Sequence, residues 1–286
     1  MIKGIIIAAG YGTRFLPATK TVPKEMFPLI DKPAIDFIVD EFIQAGIKDI
    51  LIVTSRRKKI LEDYFDREVE LETIFKKEND AKKLDLIKPR DIEIYFVRQK
   101  EMLGTGHAIL ICKDFIGNDP FVVAYPDDLV FSNPPLTKKM IDLYDKTKCS
   151  ILAVENLEGE DVSRYGVIDY ELKENFLRVK SIIEKPAKGK EPSKMISIGR
   201  YLFTKELLDY LIEDYKYHQK GEFYHINAIN KLANTGKLFA TEISGERVDV
   251  GDKIGYLNGI IKYALTRDDL KEEVLKILKN YIPKNC

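Results

Sequence analysis

Residues Ile2-Lys3-Gly4-Ile5-Ile6-Ile7-Ala8-Ala9, followed by Gly10-Tyr11-Gly12, are the stretch that decides the fold class. A nearly continuous apolar run rich in isoleucine predicts a strand buried on both faces, and the two glycines predict a tight turn after it. A segment with helical apolar spacing follows over residues 32–47, and a second apolar strand over residues 49–54. This order of strand, long loop, helix and strand predicts the parallel crossover that opens an α/β sheet.

The alternation of helices and strands continues along the chain. We expect an α/β fold, with a doubly wound, mostly parallel, Rossmann-like mixed sheet flanked by helices, an added lobe and C-terminal helices. No repeat or low-complexity linker interrupts the chain, so we expect a single domain over residues 1–286. The further predicted helices cover residues 55–65, 68–83, 104–112, 207–217, 223–233, 253–265 and 268–281, and the further predicted strands cover 92–97, 120–125, 149–154, 166–170, 177–184, 196–203 and 238–243.

Composition excludes several classes of protein. The 46 Lys and Arg residues balance 46 Asp and Glu residues, so there is no overall basic field to draw the chain to nucleic acid or to an anionic membrane. The apolar runs are far shorter than the roughly 20 residues that span a bilayer, and no secretory signal is recognisable. Three dispersed cysteines, Cys112, Cys149 and Cys286, predict a reducing cytoplasm rather than a disulfide scaffold or a structural zinc site.

The strand ends are where this kind of sheet binds ligands. After the first strand, Gly10 and Gly12 would allow backbone amides to approach a nucleotide closely, and Arg14 could hold phosphate bidentately. The turn is neither a complete dinucleotide fingerprint nor a Walker A loop. An irregular loop of roughly 20 residues follows, with Lys20 and Lys24 held among prolines, and such a loop inside a compact domain is more often functional than accidental. The charge runs of the predicted helices 55–65 and 68–83, including the basic run 56–59, are expected to be solvated surfaces.

Seven blocks of sequence, in order and at compatible spacing, carry a family resemblance. The longest is Ala8-Ala9-Gly10-Tyr11-Gly12-Thr13-Arg14-Phe15-Leu16-Pro17-Ala18-Thr19-Lys20 together with Pro23-Lys24-Glu25-Met26. The others are Gly104-Thr105-Gly106-His107-Ala108, Pro126-Asp127-Asp128-Leu129, Ser163-Arg164-Tyr165-Gly166-Val167, Glu184-Lys185-Pro186, Gly199-Arg200-Tyr201 and Asp249-Val250-Gly251-Asp252-Lys253. The chain thereby resembles the bacterial UTP–glucose-1-phosphate uridylyltransferases, the UDP-glucose pyrophosphorylases of the sugar nucleotidyltransferase superfamily.

The resemblance implies a nucleotidyltransferase type A fold, with a nucleotide-binding half over about 1–130, a sugar-phosphate-binding half over about 131–250 and C-terminal helices over about 251–286. It also implies the residues that bind the nucleoside. Uracil offers two carbonyl acceptors and one N–H donor, which a glutamine amide and backbone groups can match. The implied nucleotide-binding residues are Ala8, Ala9, Gly10, Gly12, Thr13, Glu25, Gln99 and Gly104.

The phosphates and the metal come next in the same resemblance. Arg14 and Lys24 match the residues that bind the triphosphate, and Lys185 matches the lysine that grips the sugar phosphate. Asp127 and Asp249 match a pair of carboxylates that bind magnesium. Two carboxylates completed by phosphate oxygens and water suit Mg²⁺, which seldom occupies a cage made only of protein. The implied sugar contacts are Asp128, Gly166, Glu184 and Gly199.

The implied reaction is attack of glucose 1-phosphate on the α-phosphorus of UTP, with release of pyrophosphate and formation of UDP-glucose. The block 221–229 departs from the family pattern, because Tyr224, Ile226 and Asn227 replace the usual Gln, Thr and Asp. Another sugar 1-phosphate or TTP therefore stays open as the substrate, and a sugar-nucleotide sensor without turnover is the alternative from a different class. A Rossmann oxidoreductase would need the missing third glycine. The family also implies a homodimer or homotetramer.

Overall fold

The structure is a computed structural model that describes residues 1–281. Cys286 lies outside these residues. The first half of the chain builds the parallel part of the sheet. Its elements are β1 (Lys3–Ile7), β2 (Pro28–Leu29), β3 (Lys32–Pro33), α1 (Ala34–Gln44), β4 (Asp49–Thr54), α2 (Ile60–Phe65), α3 (Val69–Lys77), α4 (Ala81–Leu86), β5 (Glu93–Arg98), α5 (Thr105–Leu110), α6 (Lys113–Ile116), β6 (Phe121–Ala124) and β7 (Asp128–Phe131).

The second half extends this sheet and covers it with helices. None of the helices within residues 1–281 combines the length and the apolar character that crossing a bilayer demands. The elements of this half are α7 (Leu136–Thr147), β8 (Ser150–Asn156), β9 (Gly166–Lys173), β10 (Phe176–Glu184), β11 (Met195–Phe203), α8 (Lys205–Tyr215), α9 (Ile226–Asn234), β12 (Leu238–Glu242), β13 (Glu246–Asp249), α10 (Lys253–Thr266) and α11 (Lys271–Tyr281).

Within residues 1–281, nine strands form one mixed sheet in the order β5-β4-β1-β6-β11-β8-β12-β10-β9. Strands β5, β4, β1 and β6 are parallel to one another, and β11 joins antiparallel to β6. The prediction of a parallel sheet with antiparallel additions is confirmed. Two small sheets, β2 with β3 and β7 with β13, lie outside it.

The strand β1 is buried on both faces, as its sequence predicts. Ile6 packs into one hydrophobic cluster with Ile35 and Phe42 of α1, whereas its neighbour Ile5 packs into a second cluster with Leu207 of α8. Successive side chains of a strand point to opposite faces, so adjacent isoleucines serve both cores. Helices thus cover both faces of the sheet.

Three predictions of secondary structure were wrong in detail. The predicted helix 68–83 is broken into α3 and α4, because Asn79 takes a left-handed conformation (φ 54°) and Asp80 then caps α4 by accepting a hydrogen bond from the Lys83 N–H. The predicted helix 55–65 begins only at Ile60. The loop after β1, which its three prolines predict to be extended, instead contains three single 3₁₀ turns, at Thr13–Phe15, Ala18–Lys20 and Lys24–Met26.

Candidate active site

A cavity of about 360 Å³ lies at the carboxyl ends of β1, β5 and β6. It brings together nine of the residues implied by the resemblance, from segments far apart in the chain. A larger concavity of about 950 Å³, between α2 and the β5 edge of the sheet, contains none of them. The nine residues lining the first cavity are Ala9, Gly10, Gly12, Thr13, Lys24, Glu25, Gln99, Gly104 and Asp127, and its walls also include Thr105, Tyr125 and Glu222.

The glycine turn owes its shape to Gly12, which is left-handed (φ 65°). A β-carbon at this position would lie 3.2 Å from Cγ2 of Thr19, whose hydroxyl donates a 2.8 Å hydrogen bond to the Gly12 carbonyl. The turn is therefore held against the next loop, where only glycine fits without strain. Arg14 lies just beyond it on an exposed 3₁₀ turn and does not line the cavity.

Behind the glycine turn lies a buried ion pair that sequence reasoning missed. Nζ of Lys58 lies 2.9 Å from both carboxylate oxygens of Glu25 and also donates to the carbonyl oxygen of Ala8. Lys58 is 5% exposed and Glu25 is 2% exposed, so the expectation of a fully solvated basic run was wrong for Lys58. Burial lowers the pKa of Lys58, and the carboxylate of Glu25 opposes that shift.

The side chain of Gln99 is fixed at the opposite wall. Its Nε2 donates to the Gly104 carbonyl at 3.0 Å and lies 3.1 Å from Nδ1 of His107. Gly104 has φ 92°, and a β-carbon there would come within 2.7 Å of the Phe223 carbonyl. Backbone of the segment before α9 thus packs directly against the Gly104 turn, and glycine is required for this approach.

The acidic end of the cavity holds Asp127, whose carboxylate forms an ion pair with Lys24. Asp249 lies close by, since Oδ2 of Asp127 and Oδ1 of Asp249 are 2.8 and 2.9 Å from the same point, the position of a β-carbon on Gly251. Burial, together with the charges of Asp127 and Asp128, raises the pKa of Asp249. Two neighbouring carboxylates that repel each other in a partly buried site fit a divalent cation that phosphate oxygens and water complete.

Asp128 is engaged by a partner that the sequence did not reveal. Arg247 donates from Nε to Oδ1 of Asp128 at 2.6 Å and from Nη2 to Oδ2 at 3.2 Å, and it also pairs with Glu155. The Gly199 N–H donates to the same carboxylate at 2.8 Å. Asp128 therefore ties β7, β13 and β11 together, and its role as a sugar contact stays a prediction.

The other sugar-side residues lie outside the cavity lining, three of them at neighbouring strand ends and Gly199 within β11. Gly166 opens β9 opposite Glu184, which ends β10. Lys185 follows with a left-handed backbone (φ 48°), and its exposed Nζ lies 3.8 Å from Glu184. Gly199 connects this group to the cavity, because a β-carbon there would lie 3.0 Å from the ring of Tyr125.

A second buried ion pair lies next to the backbone of Gly199 and Asp128. Arg200, 1% exposed, donates to both carboxylate oxygens of Glu41 on α1 at 3.1 and 2.9 Å. It also donates to the carbonyls of Gly199 and Asp128. The Gly-Arg-Tyr block singled out in the sequence thus contains a residue that links α1, β11 and the start of β7, and no site role had been expected for it.

Comparisons with known proteins identify the family of the chain. The family model described as nucleotidyl transferase matches residues 3–264. A UTP–glucose-1-phosphate uridylyltransferase from Bacillus subtilis is 40% identical over 99% of this chain and 97% of its own length. A solved UDP-glucose pyrophosphorylase complexed with UDP-glucose is 40% identical, with a TM-score of 0.81 over 93% of this chain and 100% of its own. A UTP-bound UGPase from Acinetobacter baumannii is 34% identical, with a TM-score of 0.87 over 99% and 100% of the two chains.

A match across most of the chain, in sequence and in structure, establishes shared ancestry with these enzymes. Nucleotidyltransferases of this kind generally use a divalent metal ion. The chain belongs to the nucleotidyl transferase family and, within it, to the bacterial UTP–glucose-1-phosphate uridylyltransferases.

Proposed function

We propose that this chain joins UTP to glucose 1-phosphate and releases UDP-glucose and pyrophosphate. The observation that carries the proposal is a single cavity lined at once by the glycine turn, by Gln99 and by the Lys24–Asp127 pair. The glycine turn allows the backbone to approach a nucleotide, Gln99 can bind the edge of the base, and the Lys24–Asp127 pair provides charged groups for the phosphates and a metal ion. The names of the relatives and the nucleotides in the solved structures point to the same reaction.

Gln99 supports recognition of uracil. Its Nε2 is already engaged by Gly104 and His107, while its Oε1 has no partner among residues 1–281. A free amide oxygen accepts from an N–H, and the N3 position of uracil is a donor where that of cytosine is an acceptor. A site that leaves Oε1 unpaired with the wrong base discriminates against it. Thymine presents the same edge, so TTP is the competitor to test.

Positioning and charge neutralisation supply the catalysis. A sugar phosphate already carries nearly two negative charges at neutral pH, because the second pKa of a phosphate monoester is near 6, and so no general base is required. Lys24 and Arg14 would bind the triphosphate and Lys185 the sugar phosphate, bringing the two anions together for in-line attack. Lys24 would exchange Asp127 for phosphate oxygens.

Asp127 and Asp249 are the residues that would hold the metal ion, which we propose is Mg²⁺. When bound, it would neutralise negative charge on the reacting phosphates. Asp127 is fixed through its main chain, since the Val250 N–H donates to its carbonyl at 2.7 Å and so joins the two aspartate segments. Asp249 accepts from the Gly251 N–H at 2.9 Å.

Pyrophosphate release tests the reaction directly. Glucose 1-phosphate and Mg²⁺ would be combined with UTP, TTP, CTP, ATP or GTP in turn, with the protein or its Lys185→Ala variant. Lys188→Ala is the matched control. This exposed lysine lies three residues further on, and its Nζ is 4.0 Å from its nearest carboxylate, that of Asp161. We expect release with UTP, a loss of about 10²-fold in Lys185→Ala, and no change in Lys188→Ala.

The remaining outcomes separate the alternatives. The exposed Tyr224 donates a hydrogen bond from its hydroxyl to Glu222, which lines the cavity. This departure from the family pattern is therefore where we would look for the cause of a changed sugar preference. Release only with galactose or N-acetylglucosamine 1-phosphate would assign that sugar instead. Silence with all nucleotides and all three sugar phosphates would contradict the proposal and leave the sensor.

Assembly and location complete the proposal. We propose a homodimer or homotetramer in the cytoplasm. Helix α11 has its apolar side chains Leu275, Ile277 and Tyr281 exposed on the monomer, which suits a contact between copies. Light scattering coupled to size exclusion gives the mass in solution, and a monomer at micromolar concentration would contradict this part.

A further inference from the structure

A second cavity of about 300 Å³ shares a wall with the nucleotide cavity. Asp127, Thr105 and Tyr125 line only the nucleotide cavity, so the second one does not reach the acidic end of the site. The residues common to both are Gly10, Tyr11, Lys24, Gln99 and Met102.

The second cavity is lined by basic side chains and by no carboxylate of the described residues. The side chains come from the loops that follow β1, β4 and β5, three adjacent strands of the parallel part of the sheet. This edge of the sheet is where such folds bind ligands. The six basic residues are Lys20, Lys24, Arg56, Arg57, Lys58 and Lys100.

Two of the six cations are already neutralised, Lys24 by Asp127 and Lys58 by Glu25. The other four, Lys20, Arg56, Arg57 and Lys100, have no carboxylate within 4.0 Å anywhere in residues 1–281.

Both arginines of the neighbouring segment that leads to β5 have acidic partners, by contrast. Arg67 pairs with Glu72, and Arg90 pairs with both Asp36 and Asp40. Unpaired cations converging on one concave surface repel one another and focus a positive potential into it. An anion that enters would relieve this repulsion.

We propose that this cavity binds a chain of phosphate groups, a diphosphate or a triphosphate. A phosphate chain carries several closely spaced negative charges. It therefore matches several cations around a small space better than a ligand with a single carboxylate would. Arg56 and Arg57 supply the planar forks that hold phosphate oxygens bidentately. Lys20 and Lys100 add point charges from the two flanking loops.

The phosphate chain could come from two sources. One is the terminal part of the triphosphate of a nucleotide bound next door, reaching across the shared wall. The other is a separate phosphorylated metabolite that would act on the nucleotide site from outside. Only the arms of the experiment that use UTP and UDP-glucose rest on the proposed function.

Titration calorimetry with inorganic pyrophosphate, in EDTA so that no turnover occurs, tests the proposal. The full chain would be compared with an Arg56→Gln/Arg57→Gln variant. Each protein would be titrated in three states, which are ligand-free, saturated with UDP-glucose and saturated with UTP. A Lys59→Gln/Lys77→Gln variant is the matched control, because it removes the same charge from exposed lysines outside both cavities. We expect pyrophosphate affinity to fall by about tenfold or more in the arginine variant only, because that variant loses hydrogen bonds to a charged ligand.

Each arm has a distinct meaning. Binding to the UDP-glucose complex that disappears in the UTP complex assigns the cavity to the terminal phosphates of the nucleotide. Binding that persists in both assigns it to a separate phosphorylated metabolite. Equal pyrophosphate affinity in the arginine variant and the control, in every arm, would overturn the proposal. If the wild-type protein gives no turnover in the pyrophosphate-release assay but the arginine variant still binds pyrophosphate more weakly, the proposed function is wrong and the anion site stands.

Discussion

Lys58 and Glu25 form a buried ion pair directly behind the nucleotide cavity, with Nζ 2.9 Å from both carboxylate oxygens. The same Nζ donates to the Ala8 carbonyl, so one lysine fixes the end of β1 and the loop that contains Glu25. Glu25 lines the cavity, and Ala8 precedes the glycine turn. Lys58 therefore positions groups that we expect to contact the nucleoside, without lining that cavity itself.

Replacing Lys58 by methionine would leave Glu25 buried without a partner. We expect a loss of about 3–5 kcal/mol in the free energy of unfolding, as for other broken buried ion pairs. We also expect the KM for UTP to rise about tenfold, with a much smaller change in the KM for glucose 1-phosphate, because only the nucleoside contacts lose their support. Urea unfolding and initial rates measure the two effects.

The matched control is Lys59→Met, since Lys59 is exposed and adjacent. A surface substitution of this kind should change stability by no more than about 0.5 kcal/mol. If Lys58→Met is destabilised but both KM values stay at the wild-type level, the pair only stabilises the fold and does not position the nucleoside contacts.

Arg200 and Glu41 give a stability prediction for the other buried pair. Arg200→Met leaves the Glu41 carboxylate uncompensated beneath the site, although Thr137 still donates to it. We expect a loss of about 3–5 kcal/mol, whereas a double variant, Glu41→Leu/Arg200→Met, should recover much of it because neither charge is then buried alone. Equal stability of the single and double variants in urea would contradict this account.

Asp249 offers a prediction with opposite signs for stability and activity. In the absence of metal, Asp249→Asn removes a partly buried carboxylate that faces Asp127 and Asp128, so the melting temperature in EDTA should rise. The further stabilisation that Mg²⁺ gives the wild type should disappear, and kcat should fall by about 10²-fold or more. Differential scanning fluorimetry and pyrophosphate release measure these changes.

Asp252→Asn is the control for this charge change. Asp252 caps α10 by accepting from the Ile254 and Gly255 N–H groups, and asparagine caps a helix about as well. It should therefore leave the response to Mg²⁺ intact. An Asp249→Asn protein that is still stabilised by Mg²⁺ as strongly as the wild type would exclude Asp249 as a metal ligand.

Local patterns explain why most of the fold could be predicted. The strands β1, β4 and β6 each contain an apolar run, and the glycines after β1 lie at the strand end where the cavity forms. Patterns of this kind depend only on neighbours in the chain. The helix boundary at Asn79 was missed although it has a local signal: Asn tolerates the left-handed backbone that ends a helix, and Asp80 is a common N-cap residue.

The residues that support the site depend on contacts distant in sequence. Lys58 lies in a basic run, and only the packing of Glu25, 33 residues earlier, shows that it is buried. Arg247 meets Asp128, 119 residues earlier, through the pairing of β7 with β13, which sequence periodicity did not predict. Such partners cannot be identified before the topology is known, because periodicity has no information on distant pairing.

His225 gives the pH dependence of stability. The side chain is 5% exposed, its Nδ1 lies 2.7 Å from the Thr105 hydroxyl, and its ring packs edge-on against Tyr201. Burial lowers its pKa from 6.5 to about 4. The folded protein therefore favours the neutral imidazole, and the unfolded chain binds this proton more readily.

The sign of the effect follows. The stabilisation from neutral His225 is complete above pH 6.5 and is lost as the pH falls from 6.5 to about 4, by about 3 kcal/mol in total. In His225→Leu this part of the pH dependence should vanish, so the difference in unfolding free energy between variant and wild type should change by about 1.4 kcal/mol per pH unit across that interval. Urea unfolding at half-unit steps of pH measures it, and a difference that stays constant from pH 7 to pH 4 would show that folding does not shift the pKa of His225.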